Sequence, residues 1–137
     1  GSRNTAPTTG FIGEQVRATV AQGSAVSVPL STATNITSIS LTSGVWDVSG
    51  VGSIIGTPTT PSLFAVSVST TSATNGTVGD NAVISTAYPT ASSNSTATVP
   101  AWRLTISATT TVYLVIQFNA VGGTMTGYGR ISATRVA

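Results

Sequence analysis

The sequence contains no cysteine and no histidine, and its only carboxylates are Glu14, Asp47 and Asp80. Without cysteine there are neither disulfides nor thiolate metal sites, and without histidine the usual general base and metal ligand are missing. The three carboxylates lie far apart in the chain, and no motif brings two of them to the separation of roughly 5–10 Å that glycosidases need. We therefore expect a protein that is not an enzyme and that holds no metal or other cofactor.

Charge is also scarce, because charged residues make up only 6% of the chain and lysine is absent. The formal charge of +2 comes from arginines that form no run and are not interleaved with aromatic residues. Nucleic-acid binding needs a clustered basic footprint, so it is not expected here. No apolar segment reaches the length of a membrane span, so membrane insertion is not expected either. The five arginines are Arg3, Arg17, Arg103, Arg130 and Arg135.

What the chain does have is abundant Ser, Thr and Gly together with 40% hydrophobic residues in alternating positions. Alternation of this kind can fill a core, which argues against disorder despite the Ser/Thr content. The length of 137 residues suits one domain. Residues 1–10 are interpreted as a tag remnant and lead-in linker, and residues 11–137 as a single β-sandwich domain.

Two-residue periodicity predicts about eight to nine antiparallel strands and no helix. The clearest pair is 36–41 and 45–51, separated by a turn at Thr42-Ser43-Gly44. Residues 57–61 and 88–98 are interpreted as loops, and glycines in 50–56 as a bulge or a close backbone approach. The predicted fold is all-β, an antiparallel β-sandwich of jelly-roll type. Its expected core anchors are the aromatic residues Trp46, Trp102, Phe64 and Phe118.

The strand at 112–118 departs from simple alternation, because Tyr113 and Val115 lie on the face opposite Val112 and Leu114. A strand with one solvated face should be polar there. We therefore expect a neighbouring subunit to cover Tyr113 and Val115, with Tyr128 as a further interface residue. An oligomer is predicted on this ground.

Four residues are candidates for binding a glycan or another receptor: Tyr88, Asn94, Asp80 and Arg103. Tyr88 lies in the long polar loop, where the alternative is a plain loop without binding function. Arg103 follows Trp102, and the pair would form a sugar-stacking platform. Trp102 alternates with apolar residues, however, which favours burial in the core.

Asp47 follows Trp46 and faces away from the core if Trp46 faces into it. One interpretation is a surface or interface carboxylate paired with an arginine, and the other is a Ca²⁺ ligand. The nearby glycines at 50–56 do not have dinucleotide-binding spacing, and no helix follows them.

Two parts of the sequence resemble jelly-roll domains of the C1q/tumour-necrosis-factor class. Ile39–Val48 is similar to their strand–turn–Gly–aromatic–strand pattern, and Thr126-Gly127-Tyr128 to the entry of their last strand. The order of motifs also resembles a family of small phage and prophage virion proteins, over nearly the whole chain after residue 10. The motifs that carry this second resemblance are Gly10–Glu14, Gly23–Ser27, Thr37–Gly50, Thr70–Thr74, Ser107–Val115 and Gly129–Val136.

The resemblance implies a homotrimeric knob at the free end of a virion fibre, spike or needle. Such a knob would stabilise the trimer and attach to the host surface, with a cell-surface glycan or lipopolysaccharide as partner. Two alternatives stay open. One is a capsid decoration or head-fibre protein that binds the virion shell, and the other is a secreted C1q-like module that binds other proteins.

Overall fold

Nine strands and one short 3₁₀ turn form in the part of the chain that the computed structural model describes, residues 10–85 and 93–137. Residues 1–9, and with them most of the lead-in, lie outside this part, as does the candidate Tyr88. The 3₁₀ turn spans Gln22–Ser24. The strands are β1 Gln15–Val20, β2 Val26–Val28, β3 Thr34–Leu41, β4 Gly44–Gly56, β5 Thr59–Ser69, β6 Ala82–Ser85, β7 Ser93–Ile106, β8 Thr110–Gly122 and β9 Met125–Arg135.

All strand pairings are antiparallel, and they form two sheets. The first sheet has the order β1-β9-β4-β7, with β2 continuing alongside β9, and the second has the order β3-β8-β5-β6. If β1 and β2 are taken as one interrupted strand, the chain forms an eight-stranded double-sheet jelly roll. The predicted fold class is confirmed.

The core lies between the sheets and is built from the residues that alternate inward. Trp46, Val48 and Ile54 of β4 are fully buried, as are Leu114, Ile116 and Phe118 of β8. Phe64 and Phe118 pair across β5 and β8 with ring centroids 6.4 Å apart. Trp102 is half-buried and packs against this cluster.

Glycines in β4 let the two sheets approach closely. A Cβ atom at Gly52 would lie 2.7 Å from the Val66 side chain of the facing sheet, and one at Gly50 would lie 2.9 Å from Val68. The register against β7 also shifts between Val48 and Gly50, which marks a bulge. Both features that the glycine spacing indicates are therefore present.

Two predicted loops are wrong over part of their length. Strand β7 already begins at Ser93, inside the expected loop 88–98, and β5 begins at Thr59, inside the expected loop 57–61. Strand β4 continues to Gly56 and so offers pairing partners as far as Ser93. Thr and Ser alternate well on a pleated surface, and ladder pairing overrides their polarity.

Part of the outer face of the second sheet is covered by the chain itself, through the 70–81 loop that joins β5 to β6. Asn35 of β3 donates to the Ser72 hydroxyl and accepts from the Ala73 N–H, at 2.7 and 2.8 Å. Asn75 donates to Gln117 of β8 at 2.7 Å and accepts from Ser67 of β5 at 3.3 Å. The loop thus lies across β3, β8 and β5.

The 70–81 loop explains why Val115 is apolar although it lies on the outer face of β8, where the sequence suggested a subunit interface. Val115 pairs with Asn35 on one side and Ser67 on the other, and it is fully buried within a single chain. The reason for placing Val115 against another subunit therefore falls away, and that expectation is corrected. Tyr113, two residues earlier, stays only half-buried.

Candidate functional site

The outer face of the first sheet presents a polar surface built from the residues that alternate with the core positions. We call it the polar face. Hydroxyl side chains meet across its strands: Ser49 and Ser132 at 3.3 Å, and Ser53 and Thr96 at 2.6 Å. Three of the four described arginines lie at outward positions on this face, namely Arg17, Arg103 and Arg130.

A groove of about 370 Å³ lies on the polar face where β1 separates from β9. Strand β1 pairs with β9 as far as Val20, opposite Gly129, and β2 resumes the pairing at Val26, opposite Gly127. Residues 21–25 leave the sheet in between, because Gly23 and Ser24 favour a turn over a strand. This volume lies at the lower end of the range for ligand-binding pockets, which is ~300–1,000 Å³. The lining residues are Thr19, Val20, Ala21, Gln22, Val51, Ser53, Tyr128, Gly129 and Arg130.

Tyr128 links three strands at this groove. Its backbone is in β9 opposite Ser53 of β4, whereas its hydroxyl donates to the Asn94 Oδ1 atom of β7 at 2.8 Å. Because β4 lies between β9 and β7, the Tyr128 side chain crosses over β4. This explains why Ser53, although on the outer face, is only 5% exposed. The ring is therefore held in one position beside the groove.

Arg130 gives the groove its charge. Its side chain is exposed, and in residues 10–85 and 93–137 no ion pair includes it. The carboxylates of that part of the chain are engaged or distant. Glu14 binds Arg135, Asp47 binds Arg103, and Asp80 lies in the turn before β6 of the other sheet.

Arg103 is neutralised by a cross-strand neighbour. Its Nε donates to Asp47 Oδ1 at 2.6 Å, and its terminal nitrogen donates to Oδ2 at 3.4 Å. The hydrogen bond from Arg103 to Asp47 and the attraction between their charges raise the pKa of Arg103. Of the two interpretations of Asp47, the structure favours the carboxylate paired with an arginine. In the described ranges no group of three or more acidic residues is placed to hold a metal ion.

A second charged cluster lies at one end of the sandwich and is buried. The Arg135 Nε donates to Glu14 Oε2 at 3.1 Å, and a terminal nitrogen donates to the Ser43 carbonyl at 2.9 Å. Arg135 and Glu14 are only 6% and 8% exposed. The hydrogen bond from the Gly10 N–H lowers the pKa of Glu14 most; burial opposes this, and Arg135 adds to the lowering. The cluster joins the residues before β1 to β9, which is a structural task.

The binding candidates from the sequence are distributed over the described part of the molecule, and one of them, Asn94, meets the interface candidate Tyr128. Asn94 and Tyr128 are joined by their hydrogen bond, at the edge of the groove. Arg103 lies farther along the polar face, and Asp80 is exposed in the turn before β6 of the second sheet.

Sequence reasoning missed the groove residues Thr19, Gln22, Ser53 and Arg130. The available signals were weak. Gln22-Gly23-Ser24 interrupts an alternating segment, and Arg130 occupies an outward position in the last strand. Neither signal shows that β1 and β9 are neighbours in the sheet.

Comparison with known proteins adds information on the fold. No protein-family model matches the chain, and no curated protein matches it either. Among solved structures, a chain of "Structure of infectious bursal disease virus Gx strain" is similar, with a TM-score of 0.50 and 14% sequence identity. The match covers 90% of this chain and 30% of that chain. At this identity the likeness shows the jelly-roll fold. Across the described residues no helix is long and apolar enough to cross a membrane.

Proposed function

We propose that this chain is a non-catalytic virion structural domain that forms the trimeric distal knob of a fibre, spike or needle and contributes to host-surface attachment. One observation carries the proposal. The jelly-roll strand order spans the described chain, and the chain shares its fold over 90% of its length with part of a virus structure. Double-sheet jelly rolls recur in viral shells and in lectins. The proposed role combines these two uses of the fold, since the domain would be a structural part of a virion and would also bind a surface ligand.

The side-chain chemistry supports a role without catalysis. There is no histidine or cysteine to act as a base or nucleophile. Two of the three carboxylates, Glu14 and Asp47, are committed to arginines. The third, Asp80, lies in the turn before β6 of the second sheet, whereas Glu14 and Asp47 bind arginines of the first sheet.

Assembly as a homotrimer is supported by apolar side chains that a single chain leaves uncovered. Tyr113 is half-buried on the outer face of β8, beside the 70–81 loop. Phe11 and Ile12, just before β1, are 65% and 74% exposed. Aromatic and large aliphatic side chains at such positions are typical of subunit interfaces.

The alternative is a capsid decoration or head-fibre protein that binds the virion shell. The polar face favours the host-facing knob, because its groove stays open and its hydroxyl-rich surface suits a hydrated ligand better than a dry protein contact. Gold-labelled antibody against the chain, applied to virions that carry it, tests the choice. Label at appendage tips is expected, and label spread over the shell would instead support the decoration protein.

A further inference from the structure

We infer that the groove between Tyr128, Arg130 and residues 19–22 binds a saccharide that carries an anionic group, a carboxylate or a phosphate. The inference deepens the proposed host attachment and rests on it for its biological meaning. It assigns a binding site to residues of β1, β4 and β9. No single sequence motif joins these residues.

The anionic part follows from the position of Arg130. A guanidinium presents several N–H donors in a planar fork that matches a carboxylate or phosphate. Arg103, farther along the polar face, already has such a partner in Asp47 at 2.6 Å. Arg130 has no such partner in the described chain, although it lines a groove instead of open surface. An anionic group of a ligand would supply Arg130 with the ion-pair partner that the described chain does not provide.

The saccharide part follows from the remaining walls. Val20, Val51 and the Tyr128 ring offer apolar surface, and Thr19 and Gln22 offer exposed polar groups beside it. A pyranose ring has the same mixture, with C–H groups on its faces and hydroxyls around its rim. A simple inorganic anion would leave the apolar walls unused, and a neutral sugar would leave the Arg130 charge unused.

Preorganisation supports the assignment. The Tyr128 hydroxyl is bonded to Asn94, and Ser53 beneath the ring is bonded to Thr96. These contacts hold the Tyr128 wall of the groove before a ligand arrives, so this wall needs little ordering on binding. Asn94 therefore acts as a positioning residue for Tyr128.

The test is a titration of the backbone amide NMR spectrum of the full chain with sodium glucuronate and glucose 6-phosphate. Glucose serves as the neutral control, and sodium phosphate and acetate as the simple anions. Shifts are expected at residues 19–22, 51–53 and 128–130 with the two anionic sugars. Arg130→Gln should weaken their binding about tenfold or more, because a charge-assisted hydrogen-bond pair is lost. The matched control is Arg17→Gln on the same polar face but outside the groove, and it should bind as the unaltered chain does.

Three outcomes would contradict the inference. Equal shifts with glucose would remove the anionic requirement, and equal shifts with phosphate alone would reduce the site to an anion site. No shift in the groove with either anionic sugar at about 20 mM, enough to saturate a millimolar site, would remove the site. A difference between glucuronate and glucose 6-phosphate identifies the anion. The particle mass of the same samples reports the trimer separately, so failure of the groove and failure of the knob are distinguishable.

Discussion

The guanidinium carbon of Arg135 lies 4.5 Å from the ring centroid of Trp46, and both side chains bind the same residue, Thr42. The Trp46 Nε1–H donates to the Thr42 carbonyl at 3.0 Å, and Arg135 donates to the Thr42 hydroxyl. A buried cation is costly unless it is paired and hydrogen-bonded. The Arg135 cation has such partners: it pairs with Glu14, donates to the turn between β3 and β4, and lies over the Trp46 ring. The last strand is thereby attached to the largest fully buried side chain of the core.

Trp46→Phe should destabilise the fold by about 2 kcal/mol or more, through lost volume, the lost Nε1–H bond and a weaker cation–π contact. Urea unfolding followed by circular dichroism measures the change. Trp102→Phe is the matched control, because Trp102 is only half-buried, and its loss of stability should be smaller. Equal losses would contradict the role of Trp46 as the main anchor of the core.

Glu14 should make stability depend on acid pH. Because the folded-state pKa of Glu14 is lowered, its stabilisation is fully present above the ordinary glutamate pKa of about 4.3. It is lost as the pH falls through the lower folded-state pKa. Thermal unfolding of Glu14→Gln should therefore give a lower Tm than the unaltered chain at pH 7.

The same variant should show a smaller further loss of Tm below pH 4 than the unaltered chain does. Asp80→Asn is the control, since Asp80 makes no ion pair among the described residues. If the Tm of the unaltered chain and that of Glu14→Gln fell in parallel across this pH range, a stabilising role for the Glu14 charge would be excluded.

Gly52→Ala should cost about 1–3 kcal/mol, because the new methyl would lie 2.7 Å from Val66 and force the sheets apart. Gly23→Ala is the control, since nothing lies within 4 Å of a Cβ atom there. Guanidinium unfolding of both variants measures the difference. If Gly52→Ala were as stable as Gly23→Ala, the sheets would not be in the close contact described.

Asn75→Ala should release the 70–81 loop from Gln117 and Ser67. Hydrogen exchange of the Val115 amide and dye binding by exposed apolar surface should then increase, while the strand content stays the same. Thr74→Ala is the control, because among the described residues the Thr74 hydroxyl donates to the Ser72 carbonyl of its own loop and to no strand. Unchanged exchange in Asn75→Ala would mean that the loop is held by other contacts.

The architecture could be predicted from the sequence because the two-residue alternation around Trp46, Phe64 and Leu114 records burial directly. That the 70–81 loop covers Val115 could not be predicted, because alternation shows which face a residue occupies but not which distant segment lies on that face. The groove could not be predicted for the same reason. Tyr128, Ser53 and Thr19 meet only through the order β1-β9-β4, and local periodicity does not contain strand order.

Tyr113→Asp should dissociate the proposed trimer while leaving the strands intact, because Tyr113 is half-buried on a folded chain and an interface would have to bury the new charge. Circular dichroism and light scattering on the same sample separate assembly from folding. Ser38→Asp, at an exposed position paired with Tyr113, shows whether the interface extends onto β3. A Tyr113→Asp protein that keeps the trimer mass would remove Tyr113 from the interface.

The most direct measurement of the proposed knob is the solution mass of the unaltered chain by light scattering at micromolar concentration. A stable species at about three times the 13.6 kDa chain mass is expected, and it should persist on mild heating. A monomer at every concentration would contradict the trimeric knob.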